Sequence, residues 1–144
     1  TEILQHVTSV AAQDNITFNM DIAVRANTFL AHRMLGYALK QHGAAIQIVL
    51  KEKIMDAYFT NGLNIGEISV LADCAESAGI PRPEAMTFLE SDSLVNEIRA
   101  EIAEASDYGV TAVPTFIING QWSVPGAQDV EMFERIIERI LERA

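Results

Sequence analysis

Apolar residues recur at helical spacing along most of this chain and alternate like strands in only a few short places. Ile3, Leu4, Val7, Val10 and Ala11 predict a helix over residues 2–13. Asp14-Asn15 breaks that pattern, and Ile16–Met20 alternates like a short strand. From Thr28 to Asp107 the spacing predicts a run of helices: Thr28–Gln41, Ala45–Thr60, Glu67–Ala78, a short Pro83–Leu89 and Ser93–Tyr108. Gly79 and Gly109 sit where helices end, and Ser91-Asp92 offers an N-cap for the fifth helix of the run. The last segment changes period. Thr115–Ile118 and Gln121–Val124 are β-rich runs joined by Asn119-Gly120, a type I′ hairpin signal. Asp129 is then placed to cap a helix over Val130–Arg143 that buries Val130, Phe133, Ile136, Ile137, Ile140 and Leu141, with Glu131–Arg135 as an i,i+4 pair on its polar face.

The predicted order is therefore helix, short strand, a long helical stretch, and a final β-β-α unit. A two-stranded hairpin is marginal by itself and leaves open edges. Further strands are expected from upstream sequence, a second chain, or both, so the chain is expected to form a homodimer. It begins inside a helical pattern and without Met, which points to residues upstream of Thr1.

Composition narrows the function classes. At 144 residues the chain is long enough for one domain with an inserted subdomain, and needs no disulfide or metal to hold a core. A net charge of −10 argues against a nucleic-acid partner. No run of 18 apolar residues exists, so no membrane span is expected. There is no signal-peptide pattern, so Asn15-Ile16-Thr17 carries no weight as a glycosylation sequon. A single cysteine, Cys74, rules out an internal disulfide and fits a reducing, cytoplasmic compartment.

The candidate chemistry lies at Val113-Pro114. Proline cannot donate to a sheet ladder, so at a strand entrance it commonly has a special purpose. A cis bond there turns the Val113 backbone outward and frees its N–H and C=O for an extended peptide or for glutathione. For Val-Pro alone an ordinary trans proline is the commoner case, since only about 5% of such bonds are cis.

The surrounding residues shift that balance. Gly109-Val110-Thr111-Ala112-Val113-Pro114-Thr115-Phe116-Ile117-Ile118-Asn119-Gly120, followed by Ser123-Val124-Pro125-Gly126-Ala127-Gln128, resembles the C-terminal signature of the DsbA-like thioredoxin family. Asn27-Thr28-Phe29-Leu30-Ala31-His32-Arg33, Tyr58–Ile65 and Phe88–Asp92 are similar to the helical insertion of its FrnE-type polyketide-biosynthesis branch. Pro125 stands where that branch has Ser, and Ala112 replaces a common Gly. The resemblance implies an α/β thioredoxin-like core, truncated at its N-terminus, from residues 1–26 and 109–144, with an all-helical insertion over 27–108. It implies a thiol–disulfide oxidoreductase acting on a thiol or disulfide protein or small-molecule substrate. Ala112, Val113, Pro114 and Thr115 would bind that substrate. The Cys-x-x-Cys of such enzymes is absent, so the chain as written is expected to be redox-inactive, with no catalytic residue of its own.

Two alternatives share this architecture. The glutathione-dependent 2-hydroxychromene-2-carboxylate isomerases and kappa-class transferases would place glutathione on Val113, with further contacts near Asp129. A non-enzymatic peptide-binding or assembly module would keep the groove without the thiols.

The resemblance also places Asn27, Thr28, His32 and Arg33 on a groove between insertion and core. The plainer reading, favoured by the residues themselves, has Asn27 capping a helix while His32 and Arg33 are scaffold or surface. Cys74 shares an apolar face with Leu71, Ala75 and Ala78 and reads as an inert core thiol. His6 and His42 read as surface residues, and Met20, Met34, Met55, Met86 and Met132 as core filler. No His or Cys pair has zinc-ligand spacing, no glycine-rich phosphate loop is present, and no cofactor beyond glutathione is implied.

Overall fold

The helices form where the apolar period places them. A computed structural model describes residues 2–143, and it divides into two compact units, Thr1–Ile98 and Arg99–Ala144. The described residues form seven α-helices, a π-helical turn and two strands.

In the first unit α1 spans Glu2–Gln13, α2 Phe29–His42, α3 Ala44–Met55, α4 Ile68–Ser77 and α5 Arg82–Glu90. Residues 2–26, expected to belong with the C-terminal segment, fall in the same compact unit as these helices. Met34, Leu50, Leu71 and Ile80 are fully buried, one each from α2, α3, α4 and the α4–α5 connection. That connection closes tightly. Gly79 takes φ +97, the Gly79 N–H bonds to Glu76 O, and the Ile80 N–H bonds to Ala75 O at 2.9 Å. These two bonds satisfy the last carbonyls of α4 and drive Ile80 into the core.

Three expectations fail here. Ile16–Met20 is not a strand. Its backbone is satisfied by a helix end: Asn19 N–H donates to Phe59 O at 2.7 Å, Asn19 Nδ2 to Thr60 O, and the Thr60 hydroxyl to Thr17 O. Phe18 stacks on Phe59 with centroids 4.5 Å apart. The helix expected to run to Thr60 changes pitch after Met55 and ends in a π-helical turn over Asp56–Thr60, which presents those carbonyls. The helix expected from Ser93, α6, begins at Val95 and runs to Asp107, because Leu94 takes φ +61 and cannot continue a helix backwards.

The second unit holds α6 from Arg99 onward, β1 (Thr115–Ile118), β2 (Trp122–Pro125) and α7 (Val130–Leu141). The strands pair antiparallel with Thr115 opposite Pro125 and Ile118 opposite Trp122. Asn119 and Gly120 take φ +52 and +67, and the Gln121 N–H closes the turn onto Ile118 O. That turn has the I′ hand, but Gln121 stands outside the ladder, so β2 starts one residue later than expected. Asp129 caps α7 as expected, its carboxylate accepting from Met132 N–H at 2.7 Å.

The face of α7 expected to be buried is not. Ile140 is buried and Phe133 meets Phe116 edge-to-face, but Val130, Ile137 and Leu141 are exposed. A periodic pattern identifies an apolar face without saying what covers it, and a two-stranded sheet is too narrow to cover this one. Arg135 Nε donates to the backbone carbonyl of Glu131 at 3.2 Å, not to its carboxylate. Met34 fills core, whereas Met55 and Met132 are exposed.

Candidate functional site

The loop leading into β1 is set up by the end of α6. Gly109 takes φ +73, its N–H bonds to Ser106 O, and the Val110 N–H bonds to Ala105 O. This closure turns the chain out of the helix and toward the strand. The Val113–Pro114 peptide bond is cis. The Thr115 hydroxyl donates to Ala112 O at 2.7 Å, and the Gly126 N–H donates to Pro114 O at 2.7 Å. The second bond extends the ladder one step beyond the Thr115–Pro125 pair.

Between these anchored groups Val113 stands clear. Its residue is 89% exposed, and among the described residues its N–H and C=O have no partner. A donor and an acceptor held side by side at a strand entrance are what an extended segment needs to add to a sheet edge. Ala112, Val113 and Pro114 thus form a loop that runs directly into Thr115, the first residue of β1, all in the second unit.

Asn27 and His32 belong to the first unit. Asn27 Oδ1 accepts from Phe29 N–H at 2.9 Å in the turn that opens α2, and Thr28 holds the N-cap position without a side-chain capping bond. His32 is exposed on the first turn of α2. Arg33 is scaffold. It is 4% exposed, donates from Nε to Ser93 O at 3.0 Å and from Nη2 to Ser91 O, and lies over the Phe88 ring. It ties the α5–α6 connection to α2.

The one thiol is set back from solvent. Cys74 is buried against Lys53 O, and burial pushes its pKa up, with Asp73 and Asp56 adding to the shift and Lys53 opposing it. A raised pKa leaves little thiolate, the form that attacks a disulfide. Among the described residues no group of three His, Cys, Asp or Glu side chains is arranged to hold a metal. No helix there is long and apolar enough to cross a membrane.

A polar cluster went unread in the sequence. The Tyr37 hydroxyl donates to Glu84 Oε1 at 2.8 Å, and His42 Nε2 lies 2.6 Å from the same oxygen. His42 is thus half-buried and partnered, not a plain surface residue. The Tyr37 bond, then the His42 bond, hold the Glu84 carboxyl below its ordinary pKa. Burial and the Glu84 contact push Tyr37 up. The partners are 42 and 47 residues apart on separate helices, so no local spacing could announce them.

A proline loop entering a hairpin that is followed by a helix, with a helical subdomain ahead of it, defines a thioredoxin-like α/β protein. The chain belongs to the DSBA-like thioredoxin domain family, whose model matches residues 1–138. It is 34% identical over 86 residues to the uncharacterized protein YwbO of Bacillus subtilis (strain 168), covering 59% of this chain and 42% of that protein. Its fold superposes with a TM-score of 0.85 on the crystal structure of a probable DsbA oxidoreductase from Streptomyces coelicolor, at 22% identity. That match covers 98% of this chain and 60% of the other. The chain therefore spans less than two thirds of the length of either protein.

Proposed function

We propose that this chain carries the substrate-binding surface of a thiol–disulfide oxidoreductase of the DsbA type, on the FrnE-like branch. The observation that supports it most is Val113, exposed and with both backbone groups unpartnered, in a chain of the DSBA-like family. An extended substrate segment pairs with Val113 and so holds its sulfur in register for exchange. In exchange a thiolate attacks one sulfur of a disulfide, a mixed disulfide forms, and the other sulfur leaves as a thiolate. Cys74 is too buried to serve, so the reactive pair lies outside these 144 residues, and the chain alone is redox-inactive.

The exposed apolar groups Phe116, Ile117, Val130, Ile137 and Leu141 support self-association of the chain, with a second copy covering them. The single, unpaired cysteine supports a reducing compartment, the cytoplasm.

The test is peptide binding without chemistry. A fluorescent extended peptide containing S-methylcysteine should bind the chain with a rise in anisotropy. Val113→Pro, which deletes the free N–H, should weaken binding roughly tenfold, the order of one charge-free hydrogen bond plus its desolvation. Equal binding by the folded variant would remove Val113 from the site.

A further inference from the structure

A groove of about 410 Å³ runs between β2 and α7, wholly within the second unit. Trp122 and Val124 from the strand and Ile136 and Ile140 from the helix give it apolar walls. None of residues 112–115 lines it, so it is separate from the Val113 loop.

Two cations border this apolar space. Arg139 lies on α7 and Arg143 in the turn just past its end, and the Arg143 guanidinium carbon sits 5.8 Å from the Trp122 ring centroid. The helix also carries Glu131, Glu134 and Glu138, and the whole chain has a net charge of −10. Even so, among the described residues neither arginine forms a salt bridge. Arginines without a salt bridge among the described residues, beside an apolar cleft on an otherwise acidic chain, complement a ligand with an apolar body and one negative end.

We propose that this groove binds a small organic acid. Its aliphatic or aromatic body lies between Trp122 and the Ile136–Ile140 face, and its carboxylate is held by Arg139 and Arg143. The volume suits one small molecule, since ligand pockets span about 300–1,000 Å³. Guanidinium groups recognise carboxylates through paired, charge-assisted hydrogen bonds, which fixes the anionic end.

Trp122 is the chain's single tryptophan, so its fluorescence reports on this groove alone. The probe is 3-cyclohexylpropanoate, which is optically transparent there, compared with its neutral amide. The acid should give a saturable change in Trp122 emission, and the amide should bind at least about tenfold more weakly. Replacing both arginines, Arg139→Met with Arg143→Met, should reduce the acid to the level of the amide. Arg139→Lys with Arg143→Lys keeps the charge but not the paired geometry, so its affinity for the acid should fall between that of the parent chain and that of the Met pair. Both pairs lie on exposed positions, and far-UV circular dichroism confirms that each variant is folded. No saturable change with the acid at several millimolar would overturn the proposal, as would equal binding of acid and amide or unchanged binding by the Met pair.

Discussion

The two units of this chain differ in whether their apolar side chains close around a core. In the first unit α2 to α5 enclose a core in which Met34, Leu50, Leu71 and Ile80 have no exposed surface and the buried polar groups are partnered, while α1 leaves Ile3, Leu4, Val7 and Val10 exposed. In residues 99–143 only Val124 and Ile140 are buried, while Val130 and Leu141 are each at least 70% exposed. The difference follows from geometry. Four helices can enclose a core, but one helix on a two-stranded sheet has a single contact face and free edges on both sides. The first unit is built to hold shape. The second leaves the Val113 backbone and one face of α7 open, the two places where the proposed substrate and ligand would bind.

The contrast can be broken by mutation. Leu71→Ala, in the packed core, should cost about 3 kcal/mol in a urea titration, whereas Ile137→Ala should stay within about 0.5 kcal/mol in the monomer. Equal losses would erase the distinction between the units.

Arg33→Met comes next, at about 2 kcal/mol, because it strands the Ser91 and Ser93 carbonyls that the guanidinium holds. Amide exchange in the α5–α6 connection should rise along with it. Asp129→Ala removes the one side-chain cap on α7 and should cost about 1 kcal/mol, read as lost helicity in the second unit.

The smallest effect is at Glu84 and depends on pH. Its folded pKa is lowered, so its stabilising contribution is present above the ordinary value of 4.5 and fades as pH falls through the lowered one. Tyr37 has the opposite sense. Its raised pKa favours the neutral phenol, so its contribution is present below 10.0 and fades as pH climbs through the raised value. Thermal melts of Glu84→Gln should show a shallower loss of stability below pH 4.5 than the parent chain.

How much of this was legible in the sequence depended on range. Helices α2 to α5 announced themselves through apolar spacing, and Asn119-Gly120 marked the hairpin, because both signals are local. The Val113-Pro114 loop was legible because its neighbours carry a family pattern. Ile16–Met20 misled, since its alternation mimics a strand while the backbone partners it finds are Phe59 and Thr60. The Tyr37–Glu84–His42 cluster was invisible, because a fold assembles it from distant helices. The exposed face of α7 was read correctly as apolar and wrongly as buried. Burial depends on what lies opposite, which periodicity does not encode.

In the proposed function Val113 is the point where an extended substrate joins the sheet. The most direct test follows the Val113 amide by ¹H–¹⁵N correlation while the S-methylcysteine peptide is added. If the substrate pairs there, that amide shifts downfield and saturates, with Thr115 following and the amides of α3 and α4 unmoved. A peptide that binds while the Val113 amide stays still would contradict it.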